Sequence, residues 1–141
     1  MGTRCLTVFL GEEGTGKGKK GREEIAVLYR QYDGYIDGHG KELYDYLHGK
    51  KIINGISNQT INTAFNTMGC LAAGVIAHFK TEIGGFYLHP AGTRNIGEDY
   101  VYIIYPDNGQ IRIEVKKHDE PQFDGPVDDL VNTLPQLAYD G

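Results

Sequence analysis

The chain has no tryptophan, only two cysteines and no apolar stretch longer than residues 68–77. Cys5 and Cys70 do not make the disulfide framework of a small secreted domain. The apolar stretch is too short to span a bilayer, and His78 closes it. No charged leader followed by a hydrophobic core opens the sequence, so the reading is an intracellular, cytoplasmic protein in a reducing compartment. Asn58-Gln59-Thr60 fits the glycosylation acceptor pattern, which there is a chance match. Neither cysteine sits in C-x-x-C, and His39, His48, His78, His89 and His118 lack metal-ligand spacing. No metal and no other cofactor is therefore expected. G-x-S-x-G is also missing, and Cys70 falls in an apolar helical stretch where a thiol is inert.

What is present is glycine and tyrosine. The 141 residues include 20 glycines, about twice the usual ~7%. Ten tyrosines offer flat apolar faces with polar tips, suited to planar ligands and interfaces, although strands favour tyrosine in any case. The net charge of -5 is unevenly placed. Asp119, Glu120, Asp124, Asp128, Asp129 and Asp140 lie beyond residue 117, with no Lys or Arg among them. Lys17, Lys19, Lys20 and Arg22 crowd one glycine-rich stretch. This is a nearly neutral body with a basic loop and an acidic tail, not the broad basic face of a duplex nucleic-acid binder. The length fits one domain, read as residues 1–117 with an acidic tail over 118–141 packing on it.

Periodicity predicts strands over 3–10 and 23–32, joined by a loop over 11–21. Apolar residues on both faces of 23–32 mark it as central. A helix with Asp37 as N-cap is predicted to end at Gly49, burying Leu43, Tyr46 and Leu47. A second helix over 65–82 carries Met68, Leu71, Ala72, Val75, Ile76 and Phe79 as an apolar stripe. Strands over 86–89, 100–105 and 110–116 follow, the last two joined by Pro106-Asp107-Asn108-Gly109. Ile111, Ile113 and Val115 alternate with Arg112, Glu114 and Lys116, which places that strand near an edge. A short helix over 126–132 is expected to dock through Leu130, Val131 and Leu134. The order ββααβββ predicts an α+β fold: an antiparallel sheet with two helices inserted between hairpins.

Three segments could carry chemistry. Residues 11–17 match G-x-x-x-x-G-K, the front of a phosphate-binding loop, but Gly18 stands where a Ser or Thr should hold magnesium. The segment reads as a hairpin tip whose cations and bare amides could close over an anion. Residues 29–40 are denser. Arg30 offers a bidentate donor, Tyr32 and Tyr35 offer stacking, Asp33 lies in the turn, and His39 stands at a helix entrance. The structural alternative is that Asp33 and Asp37 cap turns and His39 bonds locally. The third segment, 89–94, brings Arg94 as a second anion clamp, or is simply a surface loop.

Tyr29-Arg30, Asp33-Gly34-Tyr35, Gly38-His39-Gly40, Met68-Gly69-Cys70-Leu71-Ala72-Ala73, Tyr87-Leu88, Pro90 and Gly92-Thr93-Arg94 resemble a family of small phage and prophage proteins. Its mark is a YR..DGY..GHG core, and the resemblance spans residues 3–116. It implies a viral accessory protein acting in the bacterial host cytoplasm, with no catalytic residues to carry over. By analogy such proteins are counter-defence factors. The leading expectation is a module that sequesters a small anionic ligand, a nucleotide second messenger of bacterial immunity, through Arg30, Tyr32, Asp33, Tyr35, His39 and Arg94. A metal-independent phosphodiesterase would use His39 with Asp33 or Asp37 as acid and base. An inhibitor of a host defence protein would use the acidic tail. No membrane partner is expected, and homo-oligomer formation is left open.

Overall fold

Alternating β-branched and aromatic residues give the first two strands two apolar faces each, so their sheet must be covered on both sides. The computed structural model describes residues 2–14, 21–55 and 63–133. Strands β1 (Cys5–Glu13) and β2 (Arg22–Arg30) pair antiparallel, with Cys5 opposite Arg30 and Val8 opposite Val27. A one-turn π-helix, Ile36–Gly40, runs into α1 (Lys41–Leu47). The short strands β3 (Lys51–Ile53) and β4 (Ala64–Asn66) pair parallel and lead into α2 (Thr67–Phe79). Strands β5 (Phe86–His89), β6 (Tyr100–Asp107), β7 (Gln110–Lys117) and β8 (Glu120–Pro126) follow, and a 3-10 helix spans Val127–Thr133.

The fold is α+β, as expected. The main sheet has six strands in the order β5-β2-β1-β6-β7-β8. It is antiparallel except at its centre, where β1 and β6 run parallel with Cys5 opposite Tyr100. The crossover through α1 and α2 lays the second set of hairpins beside the first in the same direction. Phe9, Leu28, Tyr102, Ile104 and Ile113 form one core with Leu43 and Leu47 of α1 and Leu71, Val75 and Phe79 of α2. Leu6, Val8, Val27, Tyr29, Ile103 and Tyr105 form a second buried cluster on the opposite face.

Several local expectations change. Asp37 lies inside the π-helix and makes no capping bond; the residue before the helix is Tyr35. Helix α2 is shorter at both ends, because residues 64–66 pair with β3 and the chain leaves the helix at Lys80. Strand β7 lies near the edge as expected, but β8 pairs along it, with Val115 opposite Phe123, and Glu114 on its expected wet face is buried. Part of the expected acidic tail is thus an edge strand of the sheet. The 3-10 helix docks through Val127 and Leu130, with Val131 half-buried; Leu134 lies outside the described residues. Cys70 is exposed on α2. Among the described residues no helix is long and apolar enough to cross a membrane.

Candidate functional site

The polar residues of the 29–40 segment turn inward. His39 has no solvent exposure. Its Nε2 lies 2.6 Å from Thr7 Oγ1 and its Nδ1 lies 3.1 Å from an Arg30 nitrogen. Arginine only donates, so Nδ1 accepts and Nε2–H donates to the threonine hydroxyl. Burial, together with the Arg30 charge, lowers the His39 pKa to about 3, so the ring is neutral at ordinary pH. Arg30 then places two parallel bonds on the Glu42 carboxylate, at 3.1 and 3.2 Å. Its guanidinium is packed over the rings of Tyr32, Phe79 and Phe86. Tyr102 meets the His39 ring edge-on and donates to Gly34 O at 2.7 Å. Burial pushes the Tyr102 hydroxyl and the Cys5 thiol up, so both stay protonated.

The glycines of the segment explain its spacing. A Cβ at Gly38 would stand 2.6 Å from Asp33 O, and one at Gly34 would stand 2.8 Å from Cys5 Cβ. The backbone there is pressed against itself and against β1. The His39 amide bonds Asp33 O at 2.7 Å, closing the turn. The YR..DGY..GHG core thus joins β2 to α1 through a buried hydrogen-bonded node.

The structure divides the expected site. Arg30 and His39 are consumed in the node. Tyr32, Asp33, Tyr35 and Asp37 remain exposed, and the Tyr35 hydroxyl donates to Asp33 at 3.3 Å. The neighbouring Asp33 charge pushes that hydroxyl's pKa up. Arg94 is elsewhere, clamped on Glu24 by two bonds of 2.9 and 3.1 Å. Glu24 precedes Arg30 by six residues on β2, roughly 20 Å of strand. Burial works to raise the Glu24 carboxyl, but bonds from Arg94 and the Gly92 amide outweigh it and hold it low.

A different place has the shape of a binding site. A cavity of about 240 Å³ opens where the end of the β1–β2 hairpin, β3, the start of α2 and the β6–β7 turn meet. Ile52, Ile53 and Pro106 give it apolar walls, and Asn54 and Asn108 add amides at its rim. The Ile52 amide bonds Gly109 O at 2.8 Å, fixing β3 to the turn. Two charged residues line the interior. Arg22 is only 4% exposed; its guanidinium lies over the Tyr105 ring, one terminal nitrogen donates to Gly11 O at a long 3.4 Å, and its buried Nε has no acceptor among the described residues. Glu12 accepts the Met68 amide of α2 at 2.9 Å. Thr67, beside it, has a φ of 68°, which strains a β-branched residue.

Sequence reasoning counted Arg22 among loop cations, and no local pattern signals its burial. Gly11 and Glu12 of the phosphate-loop match belong to β1. Gly16, Lys17, Gly18, Lys19 and Lys20 lie outside the described residues, between Gly14 and Gly21, whose backbones bond at 3.0 Å. A larger groove of about 380 Å³ beside Arg94 is less suited to a ligand. Its Arg94 is held by Glu24, and its Glu98 carboxylate accepts the amides of Asn95 and Ile96. Comparison with known proteins finds no matching family model, no matching curated protein and no matching solved structure.

Proposed function

We propose that the protein is a binding module that holds a small phosphate-bearing, nucleotide-type ligand without altering it. The observation that carries this reading is Arg22: a guanidinium almost fully buried, lining a cavity, with one terminal nitrogen held by a long 3.4 Å bond to Gly11 O. A ligand oxygen at the terminal end of the guanidinium would add a charge-assisted bond worth about 1.5–3 kcal/mol. The apolar walls of Ile52, Ile53 and Pro106 suit a flat ring, and the rim asparagines suit its polar edge. In the sequence Lys17, Lys19 and Lys20 lie between Glu12 and Arg22, which supports a phosphate-bearing ligand.

Catalysis at the 29–40 turn is disfavoured on physical grounds. His39 has no path to a substrate, and both its nitrogens are engaged. The histidine expected to act with Asp33 or Asp37 as acid and base is thus engaged elsewhere. The resemblance of the core motif to phage proteins supports a sink for a nucleotide signal of bacterial immunity, working in the host cytoplasm.

The test is to titrate the protein calorimetrically with a panel of cyclic and linear nucleotides, then heat-denature each complex and analyse the released compound. An intact ligand is expected. Arg22→Ala should weaken its binding by roughly ten- to a hundredfold, the loss of a charge-assisted donor. A chemically altered ligand, no binding anywhere in the panel, or unchanged affinity in Arg22→Ala would overturn the reading.

A further inference from the structure

We infer that β5 is a dimerisation edge: its open side pairs antiparallel with β5 of a second copy of this chain, about a two-fold axis at Leu88. Strand β5 ends the six-stranded sheet, and among the described residues no strand pairs on its far side. It runs along β2 with Arg30 opposite Phe86 and Leu28 opposite Leu88. One step further in the same register, the Gln31 amide donates to Gly85 O at 2.9 Å. Hydrogen-bonded pairs alternate along an antiparallel ladder, so Gly85, Tyr87 and His89 turn their amides and carbonyls to β2. Those of Phe86 and Leu88 therefore face the open edge. Such an edge is a template for another strand.

The groups at Phe86 are already satisfied. Its amide donates to Gly84 O at 2.9 Å, and its carbonyl accepts Lys80 Nζ at 3.0 Å. That leaves Leu88 with its amide and carbonyl open. This pattern selects a second copy as the occupant. With Leu88 opposite Leu88, each leucine gives its amide to the other's carbonyl, and Pro90 of one copy stands opposite Phe86 of the other. Proline has no amide to offer Phe86 O. Pro90 O is itself taken by the Thr93 amide and hydroxyl, at 3.2 and 2.7 Å. An ordinary strand would bring an amide and a carbonyl there without partners; the second copy brings neither. Tyr87 falls opposite His89 of the other copy, on the face where both already pack around Tyr29. Aromatic cross-strand pairs of this kind stabilise a sheet.

Charge permits the same register. Strand β5 has no Lys, Arg, Asp or Glu. The Lys80 ammonium at each edge lies four or more residues along from its counterpart, at least about 13 Å away and beyond the ~8 Å screening length. Tyr87 and Leu88 are 50% and 63% exposed. Covering them along one short strand buries less than about 1,200 Å² in all, so the dimer is weak and reversible.

Sedimentation of the full chain at rising concentration is the test, with Leu88→Lys beside the parent. The parent's mean mass should climb from 15.6 kDa toward twice that value. Leu88→Lys sets two like charges at the axis and should weaken dimerisation by about tenfold or more. Its melt should match that of the parent monomer, because the side chain is already exposed. Hydrogen exchange locates the contact: the parent's Leu88 amide, which faces water in the monomer, should slow as the dimer forms. A parent that stays monomeric at about 1 mM, where even weak complexes assemble, overturns the proposal. So does a folded Leu88→Lys that dimerises as well as the parent. If Leu88→Lys does not fold, the Leu88 amide decides: exchange as fast in the dimer as in the monomer places the contact elsewhere and overturns the pairing.

Discussion

His39 acts as a bracket: its Nδ1 takes a bond from Arg30 on β2, and its Nε2–H gives one to Thr7 on β1. His39→Ala would take one acceptor from a buried guanidinium that keeps its two bonds to Glu42, and would leave a void against Phe79 and Tyr102. The loss should be about 3–5 kcal/mol in urea unfolding, as for emptying the place of a buried ring and leaving buried donors short of an acceptor. Arg30→Ala should act the same way, lowering stability before any effect on ligand affinity can be read. A folded Arg30→Ala protein that melts with the parent yet binds ligand poorly would return the site to the 29–40 turn. Gly38→Ala should be severe for another reason. Its new methyl would meet the Asp33 carbonyl at 2.6 Å, and a backbone oxygen cannot rotate away as a side chain can. Refolding yield and thermal melting of that variant check the point; a melt within a degree or two of the parent's would refute it.

At the scale of elements, α2 is the keystone of the helix-facing core. Val75 has no solvent contact there. Val75→Asp would bury a charge without a partner, at a cost of about 3–5 kcal/mol. Loss of a cooperative melt is expected; an unchanged melt would contradict the packing. This helix was legible in sequence because its apolar stripe repeats at helical spacing. Strands β1, β2, β6 and β7 were legible through alternation. Strand β8 was not: Glu120–Pro126 carries two prolines, a glycine and only one large apolar residue, Phe123. An edge strand tolerates proline because one row of its amides needs no partner, so β8 has the composition of a tail. The parallel pairing of β1 with β6 was also hidden, since it comes from the route of the crossover. In the 29–40 segment, composition marked a dense polar node correctly, but not whether its groups faced solvent or core. Arg22 shows the reverse, a residue that reads as a loop cation and is buried at the root of a hairpin.

For the molecule as a whole, the buried histidine makes stability depend on pH in a window that can be isolated. In the unfolded chain His39 titrates near its ordinary 6.5; in the fold its value is lowered to about 3, by burial and then by the Arg30 charge. Between these values the unfolded chain binds a proton that the folded chain refuses. Stability therefore rises with pH through the window, is fully present above about 6.5, and is lost as the solution is acidified toward 3. The loss is about 1.4 kcal/mol for each pH unit well inside the window, or about 2 kcal/mol by pH 5. Carboxylates add their own loss near and below about pH 4.5, so the range from 5 to 6.5 reports chiefly on histidine. His48, His78 and His118 are exposed and His89 is half-buried, so a variant at position 39 separates the contributions. Urea unfolding at about pH 7.5 and about pH 5 should show the parent losing roughly 2 kcal/mol. His39→Gln, less stable at both, should show little change between them. A parent equally stable at both pH values, or a variant that loses as much as the parent, would mean that His39 accepts its proton without unfolding the chain. The Arg30–His39–Thr7 node would then be open to solvent, and the 29–40 turn would again be available for acid–base chemistry.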